Sequence, residues 1–199
     1  MHVETDKILP RSFYERPNVV EIAKDLLGKV MVSNVGGMLC KGKIVEVEAY
    51  CGRADKACHA YNGRRTKRTE TMYAGGGVAY VYLCYGIHHL FNVVTNIEGM
   101  ADAVLIRALE PISGMQTMKE RLKSKNNMLT NGPGILSKSM SITTQLNGAD
   151  LLSGKVWIEY GDSNIEMIET QRIGIDYAEE DALLPWRFYV KGNEWVSRK

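Results

Sequence analysis

Within the run Ile44-Val45-Glu46-Val47-Glu48-Ala49-Tyr50, the six residues from Val45 alternate apolar and polar side chains, which is the period of a β-strand with one buried face. Strand side chains point to opposite faces in turn. The spacing therefore predicts Val45, Val47 and Ala49 in a core, with Glu46, Glu48 and Tyr50 sharing the other face. One strand cannot bury its apolar face alone, and the chain supplies partners. Lys29 to Val35 and Met38 to Tyr50 are joined through Gly36-Gly37, a pair suited to a tight hairpin. Residues 79–85 and 88–95 form a second hairpin turning near Tyr85-Gly86, and 103–109 a further strand. Short strands are expected at Lys155 to Tyr160, Ile165 to Glu169, Arg172 to Ile175 and Trp186 to Val190.

Helices are fewer. Asn18 precedes Val19, Ile22, Ala23, Leu26 and Leu27, so the pattern gives a capped helix with one apolar face that stops at Gly28. Ser113 to about Lys125 reads as an amphipathic helix with Met115, Met118 and Leu122 inward, and Pro133 suits the first turn of a short helix ending near Met140. With 199 residues and 45% hydrophobic content, one core is expected, in a single domain over residues 18–199. Residues 1–17, polar and broken by Pro10 and Pro17, read as an N-terminal arm that packs late or not at all. Residues 51–77 have no clear periodicity. A loop of that length inside a compact domain is usually functional, and this one begins beside Glu48.

The net charge of +2 is too mild to identify a nucleic-acid partner, but the basic residues are clustered. Arg64, Arg65, Lys67 and Arg68 form one group, and Lys119, Arg121, Lys123 and Lys125 a second. The four cysteines, at 40, 51, 58 and 84, lack the spacing of paired zinc ligands. With no apolar leader near Met1 and no run approaching the ~20 apolar residues of a membrane span, the expectation is an intracellular protein with reduced thiols. A carboxylate, stacking aromatics and a basic rim together suggest chemistry on a nucleotide.

Several motifs in order make the pattern specific: Glu46-Val47-Glu48-Ala49-Tyr50, His59, Tyr80-Val81-Tyr82 with Tyr85-Gly86, Asn92, and Val104 through Pro111. With Leu26-Leu27-Gly28, Gly132-Pro133 and the C-terminal Arg187 to Gly192 and Trp195-Val196-Ser197, they strongly resemble the alkyladenine (3-methyladenine) DNA glycosylase family. The resemblance implies a mixed α+β fold, a single domain with a curved, mainly antiparallel sheet and flanking helices, similar to the C-terminal domain of methionyl-tRNA formyltransferase. It also implies a monofunctional enzyme that flips a damaged purine out of double-stranded DNA and hydrolyses its N-glycosidic bond, with no cofactor, no metal and no membrane partner, as a monomer.

The resemblance further implies roles for individual residues. Glu48 activates the water, Arg107 helps hold that water and the flanking phosphate, and Tyr50, His59, Tyr82 and Asn92 form the base pocket. Tyr85 is the wedge that fills the vacated stack, while Ile87 and the basic run Arg64, Arg65, Lys67 and Arg68 contact DNA. Ile87 and His88 stand where the family often carries methionine and an aromatic. Glu46, about 7 Å from Glu48 along the strand, is expected to be structural or solvated. Taken singly, each residue has an ordinary reading: Tyr85 as a core aromatic beside a turn, Tyr82 as a routine strand aromatic, His59 as a structural histidine. Two other classes stay open: a non-catalytic nucleic-acid module with the same stacking surface, and a zinc site built from Cys51, Cys58, His59 and Cys84.

Overall fold

A computed structural model describes residues 5–123 and 128–199. The chain runs α1 (Arg11–Tyr14), α2 (Val19–Leu26), β1 (Val30–Val35), β2 (Met38–Tyr50), β3 (Ala79–Cys84), β4 (His88–Thr95), β5 (Asp102–Ser113), α3 (Met115–Leu122), α4 (Pro133–Ser139), β6 (Val156–Glu159), β7 (Met167–Thr170) and β8 (Arg187–Val190). It is a single α+β domain whose eight strands form one curled antiparallel sheet in the order β3-β4-β5-β2-β1-β6, with β8 paired to β2 and β7 to β8. Among the described residues, no helix is long and apolar enough to cross a membrane.

β2 holds the sheet together, and it changes partner halfway. Its first half, Met38 to Lys43, pairs with β1, while Glu46 to Glu48 pair with β8, and β5 runs along the opposite edge from Lys41 to Tyr50. At the changeover the β2/β5 register shifts twice, leaving first Val45 and then Arg107 without a direct partner. Such bulges bend a strand and re-aim side chains. Here they move the inward positions, so that Ile44, Val47 and Ala49 join the main core rather than the Val45, Val47 and Ala49 of a regular alternation. The polar face is buried as well: Glu46 and Glu48 are both fully shielded from solvent.

Residues 1–4 of the expected N-terminal arm lie outside the described residues. Residues 5–17 dock rather than trail, because Leu9 and Tyr14 are fully buried apolar anchors and Leu9 N–H donates to the Ile158 carbonyl at 2.9 Å. The prolines punctuate this segment without releasing it. Tyr14 also explains one of the three consecutive glycines, since a Cβ on Gly76 would come within 2.8 Å of the Tyr14 backbone. Asn18 caps α2 as expected, its side chain accepting from Val20 and Glu21 N–H. α3 begins at Met115 after Gly114, with Met115 exposed at its first position and Met118 as the buried anchor. Lys125 and the expected end of that helix lie outside the described residues. Arg172 to Ile175 is not a strand but a loop, for reasons that appear at the site.

Candidate active site

The second half of β2 forms the floor of a cavity of about 440 Å³, a size suited to a small ligand. Glu48, Tyr50, His59, Tyr82, Asn92 and Arg107, scattered over 60 residues of sequence, all line it, as do Tyr85 and Arg68 at the mouth. β2, β3, β4 and β5 supply most of them because their residues lie opposite one another: Asn92 faces Tyr80 on one side and Leu105 on the other, and Leu105 faces Glu48.

Glu48 is held by three donors. Tyr50 hydroxyl donates to Oε2 at 2.7 Å, Ile173 N–H to Oε1 at 2.8 Å, and Arg107 Nη1 lies 3.2 Å from Oε1. A carboxylate offers about four lone-pair sites, so one remains on Oε2. Burial first, then the Glu48 charge, raises the Tyr50 pKa well above the ordinary phenol value, which keeps the hydroxyl a donor. Arg107, aimed inward at the bulge, bridges both glutamates, its Nε donating to Glu46 Oε1 at 3.0 Å. Burial opposes its charge, but the Glu48 and Glu46 carboxylates prevail and raise its pKa. Glu46 is structural and not solvated: it also accepts from Arg187 Nη1 at 2.9 Å and from Ser197 N–H at 2.7 Å, fastening the C-terminal segment to the sheet.

The aromatic wall is a contiguous set. His59 meets Tyr82 edge-on at 4.7 Å between centroids, and Tyr80 and Tyr82 lie 5.4 Å apart. His59 Nε2 is 3.4 Å from Arg68 Nη2, and a guanidinium only donates, so Nδ1 carries the proton and donates to the Tyr80 hydroxyl at 3.0 Å. Burial, aided by Arg68 and Arg64, lowers the His59 pKa from 6.5 to about 4, so the ring is neutral at physiological pH. The unfolded chain binds a proton on this histidine between those values and the folded chain does not. The associated stability is present above pH 6.5 and is lost as pH falls toward about 4. Urea midpoints are therefore expected to be lower at about pH 5 than at about pH 7.5, with a smaller drop in His59→Gln. An equal drop in that variant would assign the acid sensitivity to other groups.

Tyr85 sits at the outer tip of the β3–β4 hairpin, 91% exposed, with Ile87 beside it at 73%. Ile87 N–H donates to the Cys84 carbonyl at 3.1 Å, and Tyr85 and Gly86 have φ of 50° and 72°, the pattern of a type I′ turn. The basic run is exposed but not uniform. Arg68 reaches over the Tyr82 ring at 4.9 Å, whereas Arg65 is engaged within its own loop, forked onto Glu70 and stacked over Tyr73. Arg64 and Lys67 are exposed on the same loop, outside the cavity lining. Asn92 is buried, its amide donating to the Tyr80 carbonyl at 3.1 Å.

One contributor escaped sequence reasoning. The loop at 172–177 closes the far side of the cavity with Ile173, Gly174, Ile175 and Tyr177, and its backbone supplies the N–H on Glu48. The apolar alternation of Ile173 and Ile175 mimics a strand. No side-chain pattern announces a backbone donor, so only the fold reveals it.

The family model described as methylpurine-DNA glycosylase (MPG) matches residues 12–194. The protein named "Putative 3-methyladenine DNA glycosylase" in Alkaliphilus oremlandii is 49% identical over 201 residues, covering 96% of this chain and 99% of that protein. Relatives with the same name in Natranaerobius thermophilus and Clostridium acetobutylicum are 47% and 49% identical, covering 95% of this chain each and 98% and 97% of their own lengths. A match of this extent places the chain in the methylpurine-DNA glycosylase family, as a DNA-repair hydrolase that cleaves N-glycosyl bonds.

Proposed function

We propose that the protein works as a monomer on duplex DNA, extrudes a damaged purine into the cavity and hydrolyses its glycosidic bond with a water activated by Glu48. The substrate class is 3-methyladenine, 7-methylguanine, hypoxanthine and 1,N6-ethenoadenine. The observation that carries this reading is the buried carboxylate, oriented by three donors at the floor of an aromatic-walled cavity. Glu48 takes the proton as the water oxygen bonds to C1′, and the base leaves with the electrons of the broken C1′–N bond: a cationic alkylated purine departs neutral, whereas hypoxanthine and ethenoadenine take up a proton from solvent as they leave. The negative charge also stabilises the oxocarbenium-like sugar, and it acts more strongly away from bulk solvent. Tyr50, Tyr82 and His59 stack on the extruded base, a contact worth about 1–3 kcal/mol per base. Asn92 crowds the 2-amino group of guanine, Arg107 helps hold the water and the flanking phosphate, and Arg64, Arg65, Lys67, Arg68 and Ile87 contact the duplex.

Removing a nucleotide from the stack costs a few kcal/mol, and Tyr85 offsets this by filling the gap. Its exposure supports that role, since the ring does little for the fold. Tyr85→Ser is expected to fold normally and to lose about tenfold or more of its excision rate on duplex, but not on single-stranded, oligonucleotides carrying hypoxanthine. Unchanged excision from duplex would remove the wedge assignment. The overall reading is tested by following release of hypoxanthine or an alkylated purine from a duplex. Free base and an intact abasic strand are expected, whereas a borohydride-trapped covalent adduct would indicate an amine nucleophile instead of water.

A further inference from the structure

We infer that Arg172 is a positioning residue for the reaction: it fixes both the Tyr50 wall and the N–H that orients Glu48. The inference rests on the proposed role of Glu48. Arg172 is almost fully buried, and its guanidinium is the point at which separate parts of the chain meet. Nη1 and Nη2 fork onto Asp55, with Nη2 at 2.8 Å from Oδ1. Nη1 also donates to the Ala49 carbonyl at 2.9 Å and Nη2 to the Asp181 carbonyl at 3.1 Å. The flat cation lies 4.8 Å from the Tyr50 ring centre and 5.2 Å from that of Trp186.

Two consequences converge on Glu48. Arg172 covers one face of Tyr50, so the ring, and the hydroxyl it donates to Oε2, has little freedom to tilt away. The next peptide is that of Ile173, whose N–H donates to Oε1, so the anchoring of Arg172 also fixes that donor. Asp55 extends the constraint to the loop that carries His59, because its Oδ1 accepts from Ala57 N–H at 2.9 Å. A lysine in place of Arg172 keeps a charge for Asp55 but lacks the fork and the flat face.

The test compares native protein, Arg172→Lys and Glu48→Gln in single-turnover base release from a hypoxanthine duplex, together with Kd for a duplex carrying an abasic-site analogue. Displacing reacting groups by about 1 Å costs on the order of 100-fold in rate. Arg172→Lys is expected to lose about that factor while its Kd changes by less than about threefold. A native rate in folded Arg172→Lys, or rate and affinity falling together as in a general loosening, overturns the inference. If Arg172→Lys does not fold, the neutral pair Asp55→Asn with Arg172→Gln is read by the same two quantities. Glu48→Gln separates the two ideas: a native rate there overturns the water-activation reading itself, whereas an inert Glu48→Gln beside a native-rate Arg172→Lys overturns only the positioning role.

Discussion

Glu48→Gln is expected to fold, to bind damaged duplex and to release base about 10³-fold more slowly than the native chain, within the range that a positioned general base contributes. The substitution preserves shape. The Gln carbonyl can keep the Ile173 N–H and Arg107, and its amino group can donate to the Tyr50 hydroxyl, which rotates to accept. What disappears is the ability to take a proton and the negative charge beneath the sugar. Single-turnover assays with a binding measurement distinguish this from misfolding. Release at the native rate would move the chemistry to another group, and binding without release by either protein would favour a non-catalytic module.

The second large effect is expected two residues away and is of a different kind. Glu46→Ala removes the carboxylate that Arg107 and Arg187 share, leaving the Arg187 guanidinium with an uncompensated buried charge and Arg107 with Glu48 as its one remaining carboxylate among the described residues. Breaking a buried pair in this way typically costs about 3–5 kcal/mol, a large fraction of a domain's stability. Its urea midpoint should fall steeply while Glu48→Gln stays near native. The Ser197 N–H also loses its acceptor, so the C-terminal segment should be the first part to loosen. A Glu46→Ala protein as stable as the native one would mean that the two arginines find other acceptors. Neighbouring glutamates on one strand face thus divide the work: one supports the fold, the other faces the cavity.

Local patterns carried much of this arrangement in the sequence. The alternation at 45–50, the Asn18 cap and the turn at Tyr85-Gly86 depend on a few adjacent residues, and all were legible. The bulge that exchanges Val45 for Ile44 was not, because it is set by how β5 and β8 compete for β2. Leu9 and Tyr14 look unremarkable within a proline-broken polar stretch, and only docking onto distant strands explains their burial. The Arg172–Asp55 pair spans 117 residues, and the Ile173 donor is backbone, so neither leaves a periodic trace. The family resemblance gathered Glu48, Tyr50, His59, Tyr82 and Asn92, and the cavity brings them together. It was silent about the loop that closes it.

The hairpin tip bears on how such a chain is kept by selection. Tyr85 is a bulky residue at φ 50°, a left-handed conformation that costs a non-glycine residue roughly 1–2 kcal/mol, and its exposed ring recovers little of that by packing. An asparagine before Gly86 suits this turn better. A search for more stable variants would therefore favour replacing Tyr85 and, if that ring is the wedge, discard the residue that engages DNA. Stability gained at that position would then come at the expense of the proposed DNA contact.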